Sequence, residues 1–185
     1  MVPKKIALVG GAGFIGHNLA LSLAKRGHDV HILDSLQVNN LLYFADTAHN
    51  IPNRDLYMKI VTERLNLLRE ARIPVIVQDA RDYMKLSVDL LAIKPDVVIV
   101  LAAVAHADRS NKDPHSTFDH SLRTLENTLD YSRNSVEHFI YFSSSMVYGN
   151  FPGGFVTEET PCEPKGIYGA LKFAKTCSNS LALGP

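Results

Sequence analysis

Residues 6–16 decide the fold, and they read Ile6-Ala7-Leu8-Val9-Gly10-Gly11-Ala12-Gly13-Phe14-Ile15-Gly16. The apolar run at residues 6–9 is typical of a buried strand, and it stops at a pair of glycines. Beyond the glycines, Ile15, Leu19 and Leu23 recur at helical spacing. The stretch therefore predicts a strand, a tight glycine turn and a helix in immediate succession.

The rest of the chain repeats this alternation of apolar runs and helical patterns. Strands are predicted at residues 6–9, 30–33, 74–77, 96–103 and 139–142. Helices are predicted at residues 14–26, 55–72, 83–93 and 116–133, and from Tyr168 onward. Strand and helix in regular succession predict a doubly wound α/β fold, a Rossmann-type parallel sheet with helices on both faces.

Composition excludes several classes of protein. The length of 185 residues fits one domain over residues 1–185. The balance of 19 Lys and Arg against 19 Asp and Glu gives no reason to expect a nucleic-acid partner. The longest apolar stretch, residues 97–105, is too short to cross a membrane, and the N-terminus lacks a signal-peptide layout. Cys162 and Cys177 form no disulfide framework, and the eight histidines show no metal-ligand spacing, so no metal is expected. We expect a cytoplasmic protein without a membrane partner.

The glycine spacing predicts a dinucleotide site. Gly10, Gly13 and Gly16 form Gly-x-x-Gly-x-x-Gly, one residue different from the Gly-x-Gly-x-x-Gly fingerprint. The first permits a tight turn, the second lets the backbone approach a pyrophosphate, and the third allows close packing of helix on strand. The helix that begins at Phe14 and Ile15 offers free N–H groups to the phosphates. A turn without a ligand is the competing interpretation, and the strand–turn–helix context disfavours it.

Polar and small residues at the other strand ends extend this site. Asp34 ends the second strand, where a carboxylate binds the ribose hydroxyls of NAD and repels the 2′-phosphate of NADP. Asp79 and Ala80 follow the third strand, and Ala102 and Ala103 end the fourth. Open α/β sheets bind ligands at the carboxyl ends of their strands, so these residues are expected to contact the cofactor, NAD.

Two features near the C-terminus carry chemistry. A cluster of serines, Ser143, Ser144 and Ser145, follows the fifth strand, and Tyr168 precedes Lys172 by four residues. On a helix this spacing puts the phenol and the ammonium on one face. A nearby cation lowers the pKa of a tyrosine, and bringing it from about 10 to about 7 takes roughly 4 kcal/mol. Tyr168 is thus a candidate base, with a serine hydroxyl beside it.

Taken together, these motifs resemble the extended short-chain dehydrogenase/reductases, in particular the NAD-dependent epimerase/dehydratase family that acts on nucleotide sugars. The resemblance covers nearly the whole chain. The matching residues are the glycine turn, Asp34, Asp79-Ala80-Arg81-Asp82, Leu101-Ala102-Ala103, Ser143-Ser144-Ser145 before Val147-Tyr148-Gly149, and Tyr168 with Lys172. The resemblance implies that Ser144, Tyr168 and Lys172 are catalytic. It also implies that Lys172 holds the cofactor and that Asp79 contacts its adenine.

The same resemblance helps to choose a reaction. Family dehydratases carry an Asp-Glu pair after the catalytic Ser or Thr, and decarboxylating members place a Glu in this stretch, whereas here Ser145 and Met146 follow Ser144. Reductases of the group generally use NADPH, which Asp34 disfavours. The resemblance therefore implies a nucleotide-sugar epimerase like UDP-glucose 4-epimerase. Its NAD would stay bound, its substrate partner would be a nucleotide sugar, and it would form a homodimer.

The chain departs from this family in several places. Residues 35–72 form an insert between the second and third strands. An extra surface helix is its favoured interpretation, and a lid, an oligomer contact and a substrate-side element are the alternatives. Ser121 stands where the family often has Asn. His106 follows the fourth strand, and substrate contact is its less favoured interpretation. The chain ends just after the Tyr168 helix, so we expect the C-terminal substrate lobe to be absent. A non-catalytic NAD-binding or assembly module, or another dehydratase or reductase of the family, remains the alternative.

Overall fold

The computed structural model describes residues 2–38, 40–48, 50–103, 113–151 and 154–182, with side chains as far as Ala174. The strands are β1 (Lys5–Val9), β2 (Asp29–Asp34), β3 (Val75–Val77), β4 (Val97–Val100) and β5 (His138–Tyr141). The α-helices are α1 (Phe14–Lys25), α2 (Leu41–Ala45), α3 (Arg54–Glu70), α4 (Tyr83–Ile93), α5 (Pro114–Phe118), α6 (Thr124–Ser132) and α7 (Gly166–Ala182). A π-helical turn covers Asp119–Arg123, and a 3₁₀ turn covers Ser145–Tyr148. His106 lies outside the described residues.

The strands form one parallel sheet in the order β3-β2-β1-β4-β5. The chain runs outward from β1 through β2 to β3, then returns to the other side of β1 for β4 and β5. The order therefore reverses beside β1, and ligands of open α/β sheets bind at such a switch point. The predicted doubly wound, Rossmann-type sheet is confirmed.

Helices cover both faces of this sheet. Successive residues of a strand point to opposite faces, so Ala7 and Val9 pack into a core with α4 and α6, whereas Ile6 and Leu8 pack into a second core with α1 and α3. Both faces of β1 are buried, which explains why its sequence is a continuous apolar run. Among the described helices, none combines the length and the apolar character that a membrane crossing demands.

The fourth strand is shorter than its apolar run predicts. It ends at Val100, and the N–H groups of Leu101 and Ala102 both donate to the carbonyl of Val9, at 2.8 and 3.1 Å. The chain thus leaves the regular strand pairing after Val100 and passes over the glycine turn. Gly10 lies against this crossing, where an added Cβ would stand 2.5 Å from the Ala102 nitrogen.

The helix predicted at residues 116–133 is interrupted. Between α5 and α6 the chain widens into the π-helical turn, whose first residue, Asp119, accepts hydrogen bonds from Arg81 at 2.7 Å and from Arg123 at 2.7 Å. Arg81 belongs to the loop after β3, so this ion pair ties the turn to a different part of the fold. π-helical turns are rare in proteins, and those that occur are often located at functional sites.

Candidate functional site

A cavity of about 880 Å³ opens at the carboxyl ends of the strands. All the residues predicted to hold a cofactor line it, namely Gly10, Gly13, Phe14, Ile15, Gly16, Asp34, Asp79, Ala80, Ala102, Ala103, Tyr168 and Lys172. The structure thus brings residues from separate segments of the chain to one site. Ser144 is not among the lining residues, whereas its neighbour Ser143 is.

Three glycines shape the loop between β1 and α1, each in a different way. Gly10 has a φ of +78°, which disfavours any side chain, and a Cβ on Gly16 would lie 2.3 Å from the Gly11 carbonyl oxygen. Gly13 differs, because a Cβ there would meet only the Gly10 oxygen, at 3.5 Å. Protein packing therefore requires glycine at positions 10 and 16. At position 13 the missing side chain leaves open space in front of the first turn of α1, which no side chain caps.

Asp34 fixes the same loop from the end of β2. Its carboxylate accepts hydrogen bonds from the backbone N–H groups of Ala12, at 3.0 Å, and Leu36, at 2.8 Å. Burial raises the pKa of the Asp34 carboxyl, while these two hydrogen bonds and the positive charge of Arg64 act in the opposite direction. The carboxylate is held rigidly, and each oxygen keeps a second lone pair for a ligand.

Asp79 is held by a network after β3. Arg81 donates to both of its carboxylate oxygens, at 2.6 to 3.1 Å, and also to Asp119. These hydrogen bonds lower the pKa of Asp79 below its ordinary value. The Asn127 amide on α6 donates to the carbonyls of Ala80, at 2.9 Å, and Arg81, at 3.0 Å. The acid that the family resemblance assigns to adenine is therefore ionised and fixed in place.

Helix α7 brings the phenol and the ammonium of the predicted catalytic pair, Tyr168 and Lys172, into the cavity. A Cβ on Gly169 would lie 2.6 Å from the Met146 oxygen, so α7 approaches the 3₁₀ turn closely and places Tyr168 and Lys172 beside the end of β5. The Lys172 ammonium donates to the Phe142 carbonyl at 2.7 Å and lies 6.0 Å from the centre of the Tyr168 ring. Burial lowers the pKa of Lys172 to about 8.

A second tyrosine borders this ammonium. The Lys172 nitrogen lies 4.9 Å from the centre of the Tyr141 ring, a distance at which a cation and an aromatic face attract. Burial, followed by the influence of Tyr168, raises the pKa of the Tyr141 phenol. Tyr141 therefore stays neutral and contributes an aromatic surface beside the Lys172 ammonium.

Ser144 has a structural contact as well as a predicted catalytic role. It precedes the 3₁₀ turn, and its hydroxyl oxygen accepts a hydrogen bond from the Met146 N–H at 3.2 Å. A hydroxyl that accepts one bond still has its own proton to donate. The contact with Met146 thus fixes the position of the Ser144 oxygen and leaves the O–H to donate elsewhere.

The insert supplies a wall of the cavity. The interpretation of residues 35–72 as an extra surface helix is incomplete, because many of them line the cavity, among them Asn40, Tyr43, Phe44, Ile51, Pro52, Asn53, Tyr57, Ile60, Val61 and Arg64. The Phe44 and Tyr57 rings stack with centres 4.8 Å apart and planes 3° from parallel, which joins α2 to α3. One face of α3 carries four of these residues at helical spacing, Tyr57, Ile60, Val61 and Arg64. This periodicity is the sequence feature that indicates a helix face packed against the rest of the domain.

The match to known proteins agrees with this geometry. Residues 6–177 match the NAD dependent epimerase/dehydratase family. The chain belongs to this family. A relative, the UDP-glucose 4-epimerase of Neisseria meningitidis serogroup B, is 30% identical over 172 residues, which are 91% of this chain and 45% of the relative. The UDP-N-acetyl-alpha-D-glucosaminuronate decarboxylase of Bacillus cytotoxicus is 28% identical over 195 residues, covering 98% of this chain and 50% of the relative.

Solved structures of the family extend the comparison. The UDP-glucose 4-epimerase of Thermus thermophilus, solved in complex with NAD, superposes with a TM-score of 0.72 at 28% identity, covering 95% of this chain and 50% of that one. The chain thus spans about half the length of the relatives that it matches. An epimerase and a decarboxylase are similar to it to nearly the same degree, so overall identity does not choose the reaction.

The cavity fits the cofactor of this NAD-dependent family. The open space at Gly13 and the uncapped first turn of α1 suit a pyrophosphate, which binds backbone N–H groups at helix N-termini. Asp34 stands where a ribose is bound, and Ala102 and Ala103 leave room beside the sheet. Among the described residues, no group of three or more histidines, cysteines or acids is arranged to hold a metal ion.

Proposed function

We propose that this chain carries the NAD-binding and catalytic residues of a nucleotide-sugar epimerase. The observation behind the proposal is that one cavity joins the glycine turn and Asp34 to Tyr168 and Lys172. A module that only binds NAD has no need of an acid–base group such as the Tyr168 phenol. The proposal takes residues 1–185 as a single NAD-binding domain with an insert at 35–72, acting in the cytoplasm as a homodimer.

The residues after Ser144 support epimerisation over the other reactions of the family. Elimination of water needs an acid and a base beside the sugar, and Ser145 and Met146 supply neither. The first acid that follows Ser144 along the chain, Glu158, is exposed and lies in the loop that precedes α7. The described cavity lining has acids only at Asp34 and Asp79, both of which are already bound to protein donors.

The protein side of the reaction follows from the positions of three side chains. Tyr168 takes the proton of a sugar hydroxyl and returns it, and the buried Lys172 ammonium lies 6.0 Å from the centre of its ring. Ser144 donates its O–H to the same sugar oxygen. Bound NAD supplies the hydride acceptor and donor, and its return to the starting state makes the net redox change zero.

The test is the product formed from a nucleotide sugar. The full-length protein is incubated with NAD and either UDP-glucose or UDP-N-acetylglucosamine, and the products are followed by NMR. We expect an epimer of unchanged mass. Loss of water or of carbon dioxide would assign a different reaction, and NAD binding without any product would support a non-catalytic module instead.

Tyr168→Phe is the decisive variant. It removes the acid–base group, so turnover should fall by about a thousandfold while the Kd for NAD, measured by calorimetry, stays within about threefold. Tyr131→Phe makes the same chemical change on α6, outside the residues that line the cavity, and should leave both quantities unchanged. Full activity in Tyr168→Phe would refute the role given to this residue.

A further inference from the structure

Arg64 is a buried cation at the adenosine end of the cavity, and neither the glycine fingerprint nor the catalytic pair accounts for it. It lies on α3 of the insert, only 8% of its surface is exposed, and it lines the cavity together with Asp34. Its Nε has no hydrogen-bond partner in the described structure. Arginine is rarely buried without a specific role, because its charge is costly to remove from water.

The contacts of Arg64 converge on the peptide of Ala12 in the glycine turn. Its Nη1 donates to the Ala12 carbonyl at 3.2 Å, and the amide of Asn40 donates to the same oxygen at 3.1 Å. The N–H of Ala12 donates in turn to Asp34 at 3.0 Å. The insert and β2 therefore hold the turn from both sides, and a single residue separates the guanidinium from the acid.

The two charges act on each other across this residue. The positive charge of Arg64 favours the ionised form of Asp34, and the negative charge of Asp34 favours the protonated form of Arg64. An acid at the end of the second strand normally selects NAD because its charge repels the 2′-phosphate of NADP. Here a cation offsets much of that repulsion, and arginine is the residue that typically receives a 2′-phosphate.

We propose that Arg64 is a specificity-determining residue for the cofactor. In the native chain the Ala12 carbonyl holds its guanidinium and the nearby charge of Asp34 attracts it, so NAD is preferred. Without the charge of Asp34, the same guanidinium binds the 2′-phosphate of NADP. This inference rests on the proposed function, because it needs the adenosine ribose to lie at Asp34.

The test measures selectivity, defined as the Kd for NADP divided by the Kd for NAD, by calorimetry on the full chain. Asp34→Asn keeps a side chain of the same shape and removes the charge, and selectivity should fall by about tenfold or more, or about 1.4 kcal/mol. In the double variant Asp34→Asn with Arg64→Met, this fall in selectivity should not occur. Arg64→Met alone should raise selectivity, because Asp34 then repels the phosphate unopposed.

Arg69→Met is the matched control, because it removes the same charge from an exposed position on the same helix and should leave selectivity unchanged. Selectivity compares two ligands on one protein sample, so partial unfolding of a variant does not alter it. Unchanged selectivity in Asp34→Asn, or a change that persists in the double variant, would overturn the role given to Arg64. Either outcome would leave the proposed function standing. A native chain that binds neither cofactor would overturn the proposed function as well.

Discussion

Arg64 and Lys172 are both buried cations that line the cavity, and they are held in different ways. At the adenosine end, Arg64 bonds to the glycine turn and interacts with the charge of Asp34. At the end that we propose to be catalytic (the catalytic end), Lys172 bonds to the Phe142 carbonyl and faces the Tyr141 ring. Burial lowers the pKa of both, and for Lys172 it is the cause of a fall to about 8.

The difference separates a binding region from a reacting region. A cation balanced by an acid adds little net field, which suits a region that only has to hold a ligand in place. A cation buried against a carbonyl dipole and a ring, beside Tyr168, suits a region where charge changes during a reaction, and its burial has a cost in stability. Two apolar side chains near the catalytic end, Phe142 and Met146, are exposed.

The first way to test this contrast is to add one methyl group at each end. Gly16→Ala places a Cβ 2.3 Å from the Gly11 oxygen, inside the packed turn, and should lower the free energy of unfolding by about 3 kcal/mol and abolish NAD binding. Gly169→Ala places a Cβ 2.6 Å from the Met146 oxygen, where a partly exposed 3₁₀ turn can shift, and should cost about 1 kcal/mol.

Urea unfolding and calorimetry with NAD would measure both variants. We also expect Gly169→Ala to lower turnover while NAD binding persists, because α7 carries Tyr168 and Lys172. Equal losses of stability in the two variants would mean that the catalytic end is as tightly packed as the glycine turn.

The second test concerns the charge on Lys172. Its pKa falls from an ordinary 10.5 to about 8 on folding, so below pH 8 the folded chain contains a buried charge that the unfolded chain keeps in water. Lys172→Met should therefore raise the free energy of unfolding at pH 7, by about 3 kcal/mol at most, while abolishing turnover. The gain should shrink as the pH rises above 8 and vanish above pH 10.5, where the lysine is neutral in both the folded and the unfolded state.

Urea unfolding at pH 7 and at about pH 10 would measure this gain, with the exposed Lys165→Met as the control for loss of one positive charge. A Lys172→Met chain that is less stable than the native one at pH 7 would show that the Phe142 and Tyr141 contacts outweigh the cost of burying the charge.

The third test separates the two serines. Ser144→Ala removes the proposed O–H donor to substrate, so kcat should fall by about tenfold or more with little change in NAD affinity. Ser143 lines the cavity, so Ser143→Ala should act mainly on the Kd for NAD, by a few-fold. Steady-state kinetics and calorimetry on both variants would measure the split. The opposite pattern would transfer the catalytic role to Ser143.

The features that the sequence predicts well are those encoded locally. The glycine turn depends on spacing within residues 10–16, and Tyr168 with Lys172 on the four-residue repeat of one helix. Arg64 shows the limit of such reasoning. Its helix was predicted, but a periodic face does not tell what it packs against, and the contact with Ala12 spans 52 positions of sequence.

The interruption at Asp119 has the same origin. Nothing in residues 116–133 marks a π turn, because the ion pair that fixes it comes from Arg81, 38 positions away. The early end of β4 likewise depends on the Val9 carbonyl of another strand. Contacts between distant segments, rather than local preference, decide these details.

The two outer strands of the sheet, β3 and β5, are only three and four residues long. An outer strand presents a row of unsatisfied backbone groups to which another chain can add, and a long one invites aggregation. Strands this short offer too few such groups for a strand of another chain to pair stably with them. The brevity of β3 and β5 therefore protects a sheet with a strongly apolar centre from joining edge to edge with its copies at high concentration.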